Sequence, residues 1–531
     1  MKKFEVKRKQ IEYLSKVLEL VLFLIIERSL GLEGSGFFLV TLMIFNLLWT
    51  FFGEGLPDAL GKIIRVRRSK GQFKSIRSIR IISFFCQLVM GAIGSLLMLS
   101  VGTVLGEKVF LCPYASLLVW ILSPLLFLRG LTFLFLGFCQ GEGFELPAVV
   151  TCIARQIAVY CLGTVFGAMT GAYGEKVSLL LKQEHFTYMY TAAGWCAAYV
   201  VAELIMLAFV FISFLGKRRR KQEGEMEGMK ASVTVSGYVS AIFRGMVFKV
   251  AVRFLELFPV AIGMMIFYHR EGEKASLSYG TYFVGYFAVC LMVYYLLCSI
   301  SVPFWGKVYS FIRQDDKRLG RLTFHGGMHL LLILGLAFSV SIAMMPSQVG
   351  GLAGFTSPNL VKVVVPGSFW ILFMSLAFYF SRMLMRLKKD VLCIGLAALC
   401  DILHLMVFLV FWKDEKMGIL ALMYAGLIAT AVYASLLGAI CIQMIGGRVN
   451  WLQIFWLPII GAAVMGGVQY VCGKLFGMYL KDLYMVVGVG IVTILIYLSG
   501  LLMIRDFGEE ELSVIPFGKF FLSFGKMLGT Y

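Results

Sequence analysis

The stretch Gly55-Leu56-Pro57-Asp58-Ala59-Leu60-Gly61-Lys62 closes an apolar run over 36–53 and opens a basic segment. A second version, Ser301-Val302-Pro303-Phe304-Trp305-Gly306-Lys307, closes the apolar run over 278–302 and again leads through basic residues into a new apolar run. Two such passages in one chain read as an internal repeat. The second helix of one half then corresponds to the second helix of the other, and the polar stretch Lys217 to Gly237 between the halves has no hydrophobic period long enough to span.

Working outward from this repeat, apolar runs of bilayer length occur at about 11–28, 36–53, 80–103, 115–138, 148–170, 190–215, 238–268, 278–302, 323–345, 360–385, 391–412, 418–444, 452–473 and 483–504. The expected fold is an all-α polytopic membrane protein of about 14 transmembrane helices, arranged as two pseudo-symmetric six-helix lobes plus two C-terminal helices. The expected division is 1–216 for the first lobe, 217–237 for a cytoplasmic linker, 238–446 for the second lobe, 447–505 for the appended helices and 506–531 for a cytoplasmic tail. Internal repeats of this kind are typical of transporters, whose sites lie between the repeats near the midplane. Composition agrees. Of 531 residues 60% are hydrophobic and 15% charged, and the mean hydropathy is +0.86, which excludes a water-soluble enzyme.

The net charge of +19 raises nucleic acid as a partner, but its distribution argues for topology instead. With the N-terminus inside, the inner loops hold roughly 32 Lys and Arg and the outer loops roughly 11, as the positive-inside rule requires. The strongest inner markers are Lys2, Lys3, Lys7, Arg8 and Lys9, the 62–80 loop, Lys217 to Lys221, the 307–321 segment and Arg386 to Lys389. Both termini are expected in the cytoplasm, no nucleic acid is expected, and the clusters attract anionic headgroups. The basic N-terminus is expected to lead into a retained first helix, since Lys16 and Glu19 interrupt the apolar run. The 12 cysteines stand singly and are expected as small core residues, with no metal site. His325 and His329 are four apart with no further ligand nearby, so a membrane-interface or packing role is favoured over metal.

Five collinear stretches carry a family likeness: Gly34-Ser35-Gly36-Phe37-Phe38; Gly55-Leu56-Pro57 through Gly71-Gln72-Phe73; Arg129-Gly130 with Cys139-Gln140-Gly141 and Pro147-Ala148 through Arg155-Gln156-Ile157; Pro303 to Leu322; and Asp506 to Lys519 with Pro516-Phe517-Gly518. Together they resemble the MOP flippase superfamily, in particular its polysaccharide and lipid II flippase branch of stage V sporulation protein B-like members, distantly related to MATE exporters. The resemblance implies two lobes that open a central cavity alternately to each side. Three departures stand out: Asp58 where the pattern has a small or apolar residue, an unusually charged seventh helix, and an outer loop at 171–189 that looks expanded.

Charges inside spans cost roughly 2.5 to 3.5 kcal/mol to insert and therefore face a cavity or a partner. Lys249, Arg253 and Glu256 are spaced by four and three, so they share an arc of about 60°. Lys16, Glu19 and Glu27 share one side of the first span, and the repeat makes the two helices equivalent. A polyprenyl pyrophosphate, the cargo the resemblance implies, needs fixed positive charge. Lys249 and Arg253 are the first candidates to bind it, then Lys16, then Arg129 and Arg155. The competing readings are internal pairing of the first two with Glu256, and of the last two with Glu142, Glu145 or Glu203. No Walker A motif occurs and no cofactor is expected, so coupling to H+, Na+ or the membrane potential remains, with Glu19, Glu256, Asp401 and His404 as candidates. Asp401 and His404 lie one turn apart, a spacing that suits either a proton site or a pair that satisfies itself.

These readings lead to a flippase moving a polyprenyl-pyrophosphate-linked saccharide, either lipid II or a surface-polysaccharide unit, across the bacterial plasma membrane. The alternative on the same fold is a cation-coupled multidrug or small-molecule exporter of the MATE type. A third class, a non-transporting partner of envelope-synthesis enzymes, fits the same composition. No constellation points to an enzyme.

Overall fold

The computed structural model describes residues 3–219, 235–352, 358–414, 417–446, 450, 452–476, 482–504, 506, 508–514 and 518–527. Among the described residues there are helices and no strands, and 13 helical segments are long and apolar enough to cross a membrane. The first of these, Val6–Ser69, is 64 residues long and holds both of the first two expected spans, so a count of about 14 stands. Inside it, α1 (Lys3–Phe52) is interrupted at Gly31, with φ 69 and ψ 165. Glycine takes such a conformation without the steric cost of a Cβ. A Cβ there would also lie 2.8 Å from the Tyr188 ring. Gly55, with φ 80, then turns the chain into α2 (Leu56–Ser69), where Pro57 sits in the first turn, the position at which its missing N–H costs nothing.

One compact unit comprises Ile25–Gly280. It holds the second part of α1, then α2, α3 (Phe73–Leu97), α4 (Tyr114–Leu122), α5 (Pro124–Gly141), α6 (Leu146–Leu181), α7 (His185–Arg219), α8 (Val235–Glu271) and the start of α9 (Ala275–Tyr282). The expanded outer loop expected at 171–189 is largely helix instead. Gly163, Gly167, Gly171 and Gly174 form a strip that admits Trp195, Thr191 and Tyr190 of α7, so the two helices stay packed well past the apolar run. Close approach of this kind substitutes for the hydrophobic drive that lipid does not supply. The same reasoning holds at Gly91 and Gly94, where a Cβ would meet Phe127 and Phe52.

The other unit comprises Met1–Leu24 and Thr281–Tyr531. Its helices are α10 (Ala288–Arg313), α11 (Lys317–Met344), α12 (Pro346–Leu352), α13 (Pro358–Gly367), α14 (Trp370–Arg386), α15 (Asp390–Trp412), α16 (Ile419–Ile445), α17 (Leu457–Phe476), α18 (Asp482–Tyr484), α19 (Gly490–Met503), α20 (Glu509–Val514) and α21 (Gly518–Met527). The two C-terminal spans, α17 and α19, attach to α11 through a fully buried amide: Gln469 Nε2 donates to Ser341 Oγ at 2.8 Å and to Thr493 Oγ1 at 2.6 Å. Gly466 lets α17 approach Val340, whereas Gly467 faces open space and has no such role.

The units are cut at different points from the expected lobes. α8 packs with the first unit because Tyr238, Ile242 and Met246 share a buried cluster with Ala59, Leu60 and Ile64 of α2. Residues up to Leu24 pack with the second, where Tyr13 stacks edge-on against Phe378 at 5.5 Å. Residues 220–234 of the expected linker, and Pro516-Phe517 of the tail motif, lie outside the described residues.

Contacts between connecting segments agree with the sidedness derived from the span count. In the first unit, Arg80 pairs with Glu142 and Arg68 donates to the Glu142 carbonyl at 2.9 Å, joining two loops both expected inside. His185 meets Glu33 at 2.5 Å, joining two loops both expected outside. In the second unit, Lys9 lies over the Trp305 ring at 5.4 Å, which again links two segments expected on the inner side.

Candidate functional site

Three charged constellations of the first unit involve the candidate residues. Asp58 and Lys249 form an ion pair between the repeat motif and α8, with side chains 37% and 40% exposed. Gly55 makes this possible, since a Cβ there would lie 2.8 Å from the Lys249 chain, and Gly245 approaches Ala59 in the same way. Two of the three departures from the family pattern, Asp58 and the charged seventh helix, are thus halves of one contact. One turn further on, Arg253 Nη1 meets Glu256 Oε2 at 3.0 Å. The internal pairing weighed for Arg253 is the arrangement seen, while the partner of Lys249 was not among those expected.

The third constellation is buried. Glu203 of α7, fully enclosed, receives Arg129 of α5 at 3.3 Å and Arg155 of α6 at 3.0 Å. Of the three carboxylates weighed as partners, Glu203 is the one taken. Glu142 and Glu145 go instead to Arg80 and Arg65. Arg129 also lies over the rings of Phe45 at 5.0 Å and Trp49 at 5.9 Å, and Arg155 over Phe133 at 5.7 Å. Two guanidiniums against one carboxylate leave this group one positive charge in surplus. The aromatic faces accommodate that surplus because a ring quadrupole attracts a desolvated cation.

In the second unit Lys16 is half-buried, with its ammonium 4.8 Å from the Tyr295 ring. Glu19 is half-buried on the same helix. Sequence reasoning missed Arg382, which lies inside α14 over the Phe378 ring at 5.0 Å. Its in-span position was the signal that could have found it. Arg386, assigned from the sequence to an inner loop, shares Trp305 with Lys9 at the same 5.4 Å. Asp401 and His404 both sit on α15, but the hydrogen bond their spacing allows is not formed. His404 Nε2 is buried without a hydrogen-bond partner and its ring rests beside Gly426. His329, expected at a membrane interface or in packing, is fully enclosed and paired with two carboxylates of the C-terminal segment, Asp506 at 3.0 Å and Glu511 at 3.7 Å.

Long apolar helices with charged residues inside their spans mark a polytopic membrane protein. The comparisons with known proteins give this class its place. Residues 10–265 match the family described as "Polysaccharide biosynthesis protein". Stage V sporulation protein B of Bacillus subtilis (strain 168) is 23% identical over 207 residues, which are 39% of this chain and 38% of that relative. The match therefore spans well under half of the relative's length. Among solved structures, "Lipid II flippase MurJ, inward closed conformation" superposes with a TM-score of 0.63 at 14% identity, covering 92% of this chain and 97% of that one. An inward-facing multidrug resistance MATE family transporter of the MOP superfamily gives 0.62 at 12% identity, covering 82% and 94%. The chain has the fold of the MOP superfamily transporters, and the resemblance expected from its motifs is borne out.

Proposed function

We propose that this protein is a flippase that moves a polyprenyl-pyrophosphate-linked saccharide from the inner to the outer leaflet of a bacterial plasma membrane, with both termini cytoplasmic. The observation that carries the reading is the sign of the charge within the spans. Arg129 and Arg155 share one carboxylate, and Lys16 and Arg382 sit over aromatic rings. A pyrophosphate is stabilised by such fixed cations in a low-dielectric setting. An exporter of organic cations needs carboxylates and aromatic faces in their place.

Alternating access supplies the movement. Lys249 and Arg253 bind the pyrophosphate by exchanging their present partners Asp58 and Glu256 for it. Glu19, Glu256, Asp401 and His404 remain the candidates for coupling to H+ or Na+. The protein transports and does not catalyse. Its partners are the lipid-linked saccharide, the surrounding lipids and envelope-synthesis enzymes that make or use the cargo.

The test is transport of a fluorescent polyprenyl-pyrophosphate saccharide in proteoliposomes. Lys249→Ala/Arg253→Ala should abolish it while leaving the protein in the membrane. Normal transport by that variant would sink the residue assignment. Efflux of cationic dyes without saccharide transport would favour the MATE-type exporter, which shares the fold equally well.

A further inference from the structure

Three of the acidic residues that follow α19, Asp506, Glu510 and Glu511, turn back onto α11. At the exposed start of that helix Arg318 Nη2 donates to both oxygens of Glu510, at 2.7 and 3.1 Å. About three turns further in, the contact is enclosed. His329 Nε2 lies 3.0 Å from Asp506 Oδ2 and its Nδ1 lies 3.7 Å from Glu511 Oε2, with side chains 0%, 0% and 18% exposed. Packing fixes the segment on both sides of these contacts. Gln453 donates its side-chain amide to the Asp506 carbonyl, and Leu512 of α20 enters the core of the second unit.

Charge does not balance in this enclosure. Among the described residues no Lys or Arg stands within ion-pairing distance of the Asp506 or Glu511 carboxylate. The arginines at the start of α11 are engaged elsewhere, Arg318 with Glu510 and Arg321 with the Ile445 carbonyl at 3.2 Å. His325, one turn before His329, is hydrogen-bonded to the backbone of Gly446 and feels both the Glu511 and the Arg321 charge. On α19 the titratable group near Asp506 is Tyr497, whose hydroxyl is given to the Pro458 carbonyl at 3.0 Å. From the elements packed against α11, the charged groups that act on His329 are Asp506 and Glu511. Two carboxylates and a neutral ring carry two negative charges. One proton on the ring leaves one of them unanswered, and a second proton brings the enclosure to neutrality. Since a buried ion without compensation is strongly destabilising, enclosure favours the protonated cluster. Protons held by such a group leave in steps that belong to the group and not to one residue.

We propose that His329, Asp506 and Glu511 form a proton-binding site in the second unit, and that its occupancy decides whether α20 stays docked on α11. Loss of protons as pH rises leaves two carboxylates enclosed beside a neutral ring, and α20 comes away. The site uses none of the residues assigned to the cargo or to ion coupling and stands independently of the cargo's identity.

Hydrogen–deuterium exchange on the full chain in nanodiscs would read the protection factors of α20 from about pH 6 to about pH 9, around the range in which an imidazole changes charge. Peptides of α17 and α19 report whether the rest of the unit stays folded. Protection of α20 should fall by about tenfold or more across that range while α17 and α19 hold, because a proton released on undocking changes the equilibrium by about tenfold per pH unit. Asp506→Asn/Glu511→Gln removes both negative charges and should flatten the profile. His329→Gln leaves the carboxylates unanswered and should lower protection about tenfold already at about pH 6. Glu511→Gln alone, at the most exposed of the three side chains, should shrink the fall by about threefold or more. A flat profile in the wild type overturns the site, and so does a fall that either Glu511→Gln or the double variant leaves at full size. Protection in His329→Gln equal to that of the wild type overturns the part given to the imidazole.

Discussion

Replacing Glu203 with Gln preserves shape and removes one charge, and the structure sets what that should cost. The carboxylate is wholly enclosed, while Arg129 and Arg155 are 16% and 13% exposed and 3.3 and 3.0 Å from it. Breaking a buried pair strands an uncompensated ion at about 3–5 kcal/mol, and here two guanidiniums would be stranded together. The rings of Phe45, Trp49 and Phe133 retain about 0.5–2 kcal/mol of attraction for a desolvated cation. The expected loss is therefore near the lower figure, about 3 kcal/mol. That is roughly a hundredfold in the unfolding equilibrium, out of a typical total of about 5–15 kcal/mol. Tryptophan fluorescence during thermal and denaturant unfolding in micelles would measure it. Adding Arg129→Met to Glu203→Gln removes one stranded cation and should restore about 1 kcal/mol or more, since residues in one network couple by about 0.5–3 kcal/mol. A Glu203→Gln protein within about 1 kcal/mol of the wild type would refute the reasoning, because the carboxylate would then not be what holds the two arginines.

Asp58→Lys alone sets two cations against each other between α2 and α8 and should impair saccharide transport; transport equal to the wild type would separate the pair from function. Its stability effect should stay within about 1 kcal/mol, because the pair is half-exposed. Gly36→Ala and Gly280→Ala should each cost about 1–3 kcal/mol or more by overpacking, since a Cβ would overlap the carbonyls of Ser276 and Leu32. Unfolding midpoints equal to the wild type would show that α1 and α9 do not approach this closely.

Much of the architecture was legible in one dimension. Bilayer thickness dictates span length and every backbone polar group must be satisfied inside a span, so hydropathy alone yields helices, their number and which loops share a side. Loop contacts such as Arg80 with Glu142 and His185 with Glu33 respect that order. In-span cost likewise marked Lys249, Arg253, Arg129 and Arg155 as residues that require partners. Helical periodicity says which face a charge is on. It says nothing about what stands opposite.

Partner choice was therefore left to tertiary packing. Asp58 and Lys249 are 191 positions apart, and Glu203 gathers arginines from 74 and 48 positions away. Which of three plausible carboxylates is taken depends on helix register, a property of side-chain packing between helices. At Asp401 and His404 one turn of spacing allows a bond that the helix does not make. Packing also brought the tail's Asp506 and Glu511 to His329. From the sequence alone come the membrane class, the number of spans and the places where charge must be answered. Which residues answer it was decided only when the helices packed, because a buried ion's partner is set by distance in space and not by distance along the chain.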